Sequence, residues 1–457
     1  MDAIAPSSHD PVSADVRQGI GRKYLLPLYG VAVLIIATIF GALDRQMVVL
    51  LADPISKSLD LSDGQIGVLL GLGLTLCSGL AAVPLGWLAD RYDRRKILAA
   101  CLLLWAAATA GCGFADNFTE MLIAAAVMGL GESGVSPIVW GLIPQIVPER
   151  YRLLANGVFM LAANLGWGLG IWAAGVIVDN VDVLRPFLPF ALQDIDPWRV
   201  AFVAVAVPGP AIAVLLLLIR IQHQAASAAG LVEESFMTMR AYIRDHIHTL
   251  ATVFVGIGFL MFGVSASTNW IPTLAARSFG VSTSEISAAS GSAYFFGTLG
   301  GGAAYFIFGP MLRRKIGAGA AIWAYVITLA IASVMSVAVL FARSANDIFI
   351  LFGLQYGTTI FASTFTPTLL QDMTPANLRS RVVGIAVTIG FSLSALGPLA
   401  VGTLSDQIAG VPDHIRIAVV VMSTGGLLMG SLLMFLGRKS FVRTVEASSP
   451  QAVRIGI

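Results

Sequence analysis

Twelve apolar runs, most of them twenty residues or longer, divide the chain and leave few folds open to it. They fall near 25–51, 64–89, 96–115, 119–146, 153–178, 199–220, 248–275, 284–309, 316–341, 347–372, 380–404 and 414–437. A helix of roughly 20 apolar residues crosses the hydrocarbon core of a bilayer. Backbone in lipid must satisfy its own hydrogen bonds, so only helices and closed barrels span. Barrel strands would alternate over about ten residues, and these runs do not. An all-α membrane protein of twelve transmembrane helices is expected. Composition agrees: 57% of residues are hydrophobic and 12% charged, against about a quarter charged in soluble domains. The net charge of +2 offers nothing to nucleic acid.

Lysine and arginine set the expected orientation. Of 28, 21 fall on the side that holds both termini and six on the other; Arg45 lies inside a run. Both termini are therefore expected in the cytoplasm, in a multi-pass protein of the cell inner (plasma) membrane. The polar stretch 1–23 has no apolar core of a signal peptide and is read as a disordered cytoplasmic tail. The expected divisions are a six-helix bundle over 24–220, a cytoplasmic linker over 221–247, a second bundle over 248–437 and a cytoplasmic tail over 438–457. In the linker, Phe236, Met239, Ile243 and Ile247 follow helical spacing, which fits an amphipathic helix on the membrane face or an ordinary solvated linker.

The two halves are related. Gly157 and Gly384, Gly170 and Gly397, and Asp179 and Asp406 share an offset of 227 residues. Arg94-Arg95-Lys96 recurs as Arg313-Arg314-Lys315. A six-plus-six duplication suits a carrier with its site between two pseudo-symmetric bundles.

Gly86-Trp87-Leu88-Ala89-Asp90-Arg91-Tyr92-Asp93-Arg94-Arg95-Lys96, between the second and third runs, resembles the signature loop of the major facilitator superfamily. Gly86 permits close helix contact, Asp90 suits a helix N-terminus, and Arg91, Arg95 and the later Arg152 can pair with acids on neighbouring loops or with anionic headgroups. These five residues are the expected cytoplasmic gate. The second copy keeps only its basic cluster, with Gly309 where Asp90 would align. Gly129-Leu130-Gly131-Glu132-Ser133-Gly134, Pro148-Glu149-Arg150-Tyr151-Arg152 and Leu43-Asp44-Arg45-Gln46 resemble the spinster branch of that superfamily. The resemblance implies alternating access and, within that branch, sphingosine phosphate or lysophospholipid as substrate.

Asp44 and Arg45 sit deep in the first run, where a charge costs at least about 2.5 kcal/mol. As helix neighbours they point about 100° apart, so each needs a partner elsewhere. Glu132 is the other acid well inside a run. Arg45 always carries its charge and so always needs an anion. The expectation is a proton-coupling Asp44, with Arg45 and Glu132 forming the polar end of a substrate site; a structural salt bridge is the plainer alternative. The repeat brings Ser267 and Asn269 to the depth of the charged pair and Thr359 opposite Glu132. Phe361, Phe295, Phe296 and Phe365 suggest an apolar wall, or plain helix packing. A cavity charged on one wall and apolar on the other suits an amphiphile.

The fifth run lacks the Gly-Pro element of drug antiporters. A proton-coupled carrier of organic anions or organophosphates, some of which have an Asp-Arg pair in the first span, or of drugs is the alternative to a lysolipid or sphingolipid transporter; a non-transporting membrane sensor is a remote third. No nucleophile–base spacing, metal-ligand spacing or Walker motif is present. Cys77, Cys101 and Cys112 suit small core positions. Neither an enzyme nor a cofactor is expected. The expected partners are a proton, an amphiphilic or organic-anion substrate and membrane lipids, with the protein a monomer.

Overall fold

The computed structural model describes residues 11–187, 195–221, 234–375 and 378–447. Twelve helical spans cross it: Leu26–Leu50, Asp63–Ala89, Arg94–Phe114, Phe118–Ile146, Leu154–Asp179, Pro197–Leu217, Ile247–Phe279, Thr283–Ile316, Ala320–Phe341, Ala345–Met373, Arg381–Gln407 and His414–Glu446. They are numbered here as spans 1 to 12. The face with both described ends is called the basic face, the other the far face.

Local chemistry sets the ends. On the far face Ser62 caps span 2 in a capping box with Gln65, and Ser282 caps span 8 in one with Glu285. Each box satisfies two otherwise orphan N–H groups. Asn117 caps span 4 with its side chain alone, and Ser344 caps span 10 in a further capping box with Asp347. Asp60 and Gly280 stand before the boxes of spans 2 and 8, both left-handed at φ 51° and 62°. The duplication thus extends to the turns, although one copy uses glycine and the other aspartate, a residue that tolerates this conformation.

Glycines place the spans. A Cβ on Gly170 of span 5 would come 2.8 Å from the Ala42 and Leu43 backbone of span 1. Its counterpart Gly397 of span 11 would come 2.6 Å from the Phe262 carbonyl of span 7. Small residues at such crossings let helices approach where lipid supplies no hydrophobic drive. Between the bundles, span 2 packs on span 11 and span 5 on span 8. Gly67 and Gly71 lie against the Pro398 and Ala395 carbonyls, and Gly168 against the Gly291 carbonyl.

Several boundaries differ from expectation. The helix of span 1 begins at Pro11, a residue well placed at a helix start, and runs on through Gly19, Gly21 and Pro27; residues 1–10 lie outside the described part. Span 8 continues through Pro310 to Ile316; membrane-spanning helices tolerate an internal proline. The last helix runs to Ala447, past the expected end at 437. In the linker, Glu234–Asp245 is helical. It docks on the second bundle, with Met239 and Tyr242 buried and the Tyr242 hydroxyl donating to the Met373 carbonyl at 2.5 Å.

Candidate functional site

Asp44 and Arg45 diverge as the helix geometry requires. Asp44 is fully buried and turns to span 3, where the Thr109 hydroxyl lies 3.2 Å from its Oδ2. That hydroxyl has one hydrogen and is also 3.1 Å from the Trp105 carbonyl. The Asp44 Oδ1 has no hydrogen-bond partner among the described residues. Gly41, one turn earlier, makes the room: a Cβ there would sit 2.6 Å from the Trp105 ring.

Arg45 turns to spans 2 and 4. Its Nη1 donates to Glu132 Oε2 at 3.0 Å and its Nη2 to Thr75 Oγ1 at 2.6 Å. The guanidinium lies 5.7 Å from the Trp167 ring centroid, a cation–π distance. Thr75 reaches it because Leu69–Leu76 is a π-helix. In that wider turn the Thr75 hydroxyl donates to the carbonyl five residues back, Leu70, at 2.9 Å. Such segments recur at functional sites. Gly71 within it lets span 11 approach.

The second bundle closes over this cluster with aromatic rings. Tyr294 of span 8 is buried beside Gln46 and Arg45 and packs edge-on against Phe352 and Tyr356 of span 10, at 5.2 and 4.9 Å between centroids. Its hydroxyl points to the Thr268 carbonyl. Gln46 donates to the Trp167 carbonyl at 3.4 Å.

The sequence-predicted residues are distributed as follows. Arg45 and Glu132 meet directly. Ser267, Asn269 and Thr359 are buried, and each bonds within its own span: Ser267 to Val264, Asn269 to Ser265, Thr359 to Tyr356. Phe361 and Phe296 line a groove on the outer side of spans 8 and 10, away from Tyr294, and Phe365 packs on Tyr305. At the basic face, Gly86 faces Pro137 of span 4, Arg91 stacks on Trp87 at 3.8 Å, and Arg95 binds Asp93 and the Ile219 carbonyl. Arg152 binds the Pro144 carbonyl. Each of these contacts lies within the first bundle. The Asp90 side chain is outside the described part. The Arg95 side-chain bond is the main cause holding the Asp93 carboxyl below its usual range.

A second cluster, absent from the sequence reading, joins the bundles at the far face. Arg277 at the end of span 7 donates to Asp53 and Asp63 of the first bundle, both at 2.7 Å. Ser405 of span 11 donates to Asp63 at 2.7 Å. The Asp406 carboxylate accepts from the Asp63 and Gly64 backbone N–H groups at the start of span 2, where the helix dipole favours a negative charge. Toward the basic face the contact thins: Cys77–Arg91 of span 2 touches span 11 far less than Asp63–Leu76 does. The far end is closed by ion pairs and backbone contact.

Two six-span bundles, a charged cluster at mid-membrane and closure at one end define a membrane transporter. Residues 34–398 match the family model described as Major Facilitator Superfamily, and the chain belongs to that family. A probable 4-methylmuconolactone transporter of Cupriavidus pinatubonensis is 25% identical over 80% of this chain and 81% of its own length. A sphingosine-1-phosphate transporter of Danio rerio is 28% identical, but over 34% of this chain and 31% of that protein. A niacin transporter of Acinetobacter baylyi is 30% identical over 37% and 35%. Among solved structures, a bacterial homologue of the human lysosomal transporter spinster, inward-facing and unoccupied, superposes with TM-score 0.77 at 20% identity, covering 92% of this chain and 98% of that one. The resemblance to the spinster branch seen in the sequence is matched by these relatives.

Proposed function

We propose that the protein is a proton-coupled secondary transporter of organic anions that works by alternating access. One observation carries the reading: a fully buried Asp44 with an unpartnered oxygen lies beside an Arg45 held by a single carboxylate, Glu132. An entering carboxylate or phosphate replaces Glu132 on Arg45, and its body lies against Trp167, Tyr294 and Tyr356. Asp44 carries the proton. A buried charge without full hydrogen bonding is costly, and a bound proton removes that charge while the site is sealed. The far-face cluster around Arg277 holds the observed closure, and its release exposes the site to the other side.

The observed walls favour a compact anion over a lipid. The phenylalanines that suggested a hydrocarbon-lined wall, Phe296 and Phe361, line the outer groove, and one relative matched over most of its length is named a probable 4-methylmuconolactone transporter. The lysolipid or sphingolipid reading is kept as the second, on the sphingosine-1-phosphate relatives matched over about a third of this chain. Thermal stabilisation of the purified protein separates the two. Small carboxylates should raise the melting temperature, and Arg45→Ala should abolish that rise. Stabilisation by lysolipids or sphingosine phosphate alone would replace the first reading with the second.

A further inference from the structure

Spans 8 and 10 are pressed together by glycines. A Cβ on Gly297 would meet the Gly353 carbonyl at 2.9 Å, and one on Gly301 the Gly357 carbonyl at 2.3 Å. Behind this seam lies a cavity of about 700 Å³ that reaches Thr328 of span 9. It opens away from the centre. Phe296 and Leu354 line it, 69% and 55% exposed; each stands two residues, or about 200° of helix, from Tyr294, which lies beside Gln46 and Arg45 of the first bundle, and from Tyr356, which packs on Tyr294. In a spanning protein that direction is the hydrocarbon of the bilayer.

The groove continues toward the basic face. Phe361 belongs to the first cavity and packs on Phe365; Phe365 and Tyr305 line a second cavity of about 250 Å³ that ends at Arg313 and Asp372. Arg313 is 63% exposed, its ion pair to Asp372 is long at 3.5 Å, and Arg314 and Lys315 follow it. An apolar trough thus ends under three positive charges and one carboxylate. From Gly300 to Arg313 the helix rises about 20 Å, a little more than one leaflet's share of a roughly 30 Å hydrocarbon core.

We propose that this groove is a binding site for an anionic phospholipid, with an acyl chain along spans 8 and 10 and the phosphate on Arg313. The apolar length supplies affinity, and the basic cluster supplies the preference for negative headgroups. Gly300 lines the cavity, and a Cβ there meets nothing within 4 Å, so Gly300→Leu fills the trough without a backbone clash. Gly425→Leu, equally unobstructed on span 12, is the matched control.

The test is native mass spectrometry of the full chain after equilibration in mixed micelles of phosphatidylglycerol and phosphatidylcholine. Wild type and Gly425→Leu should retain one phosphatidylglycerol in preference to phosphatidylcholine. Gly300→Leu should reduce that adduct about tenfold or more. Arg313→Ala, a surface change, should keep lipid but lose the preference. Equal retention in wild type and Gly300→Leu, an unchanged preference in Arg313→Ala, or full displacement by inorganic phosphate would each overturn the proposal.

Discussion

Replacing Arg277 with alanine should open the far end of the protein. Arg277 is the cation shared by Asp53 and Asp63, with both bonds at 2.7 Å and the two carboxylates 9% and 8% exposed. Its own side chain is 24% exposed. Removing one member of a fully buried pair costs about 3–5 kcal/mol, and an exposed pair is worth about 0.2–1 kcal/mol. This partly buried pair of bonds lies between, at about 2–3 kcal/mol of bias toward closure. Asp53 keeps Lys57, and Asp63 keeps Ser405, so the loss is not larger. At about 1.4 kcal/mol per tenfold, the ratio of far-end-closed to far-end-open molecules should fall by about 30- to 150-fold. Spin labels at Ser58 and Val411, on opposite bundles at the far face, report this by electron–electron distance measurement with the native cysteines replaced. Wild type should give one short distance, and Arg277→Ala a mixed or long distribution. An unchanged distribution would refute the assignment of Arg277 as the element that holds the closure.

Three further outcomes are expected. Gly71→Leu should block closure of span 2 on span 11, because its Cβ would lie 2.1 Å from the Ala395 carbonyl; transport should fall to background while the folded fraction in size-exclusion chromatography remains. Burial pushes the Asp53 carboxyl up, but the bonds and charges of Lys57 and Arg277 outweigh it and hold it below its usual value. Its stabilisation is therefore complete above the unfolded carboxylate pKa of about 3.9 and is lost as pH falls through that value toward the lower folded one, so melting temperature should drop over that range more steeply in wild type than in Asp53→Asn. Tyr242→Phe removes the bond that ties the linker helix to the Met373 carbonyl and should cost about 1 kcal/mol, read as earlier thermal unfolding.

Span number, the basic asymmetry and the duplication were legible because each is a property of whole segments: length, charge bias and repeated spacing. The partnership of Arg45 with Glu132 was legible for a different reason. A permanent cation at mid-membrane needs an anion, and few acids lie inside spans. Thr75 was missed because an ordinary helix would turn it elsewhere; its signal was its standing as the single hydroxyl in Leu69–Leu76. Thr109 gave no such signal beyond being a polar residue in span 3. The Arg277 cluster was missed because its members lie in separate far-face segments, where charges are ordinarily solvated. Phe296 and Phe361 were misplaced because repeat alignment fixes depth in the membrane and leaves helix rotation open. A two-residue difference from Tyr294 turns a side chain from the centre to the lipid.

The central claim is that Asp44 carries a proton alongside an anion held at Arg45. Proteoliposomes loaded with a pH-sensitive dye, without an imposed gradient, test it when a stabilising carboxylate is added outside. Wild type should acidify or alkalinise the lumen in step with substrate movement. Asp44→Asn should still exchange labelled substrate across the membrane while moving no protons. Proton movement of wild-type size in Asp44→Asn would contradict the account.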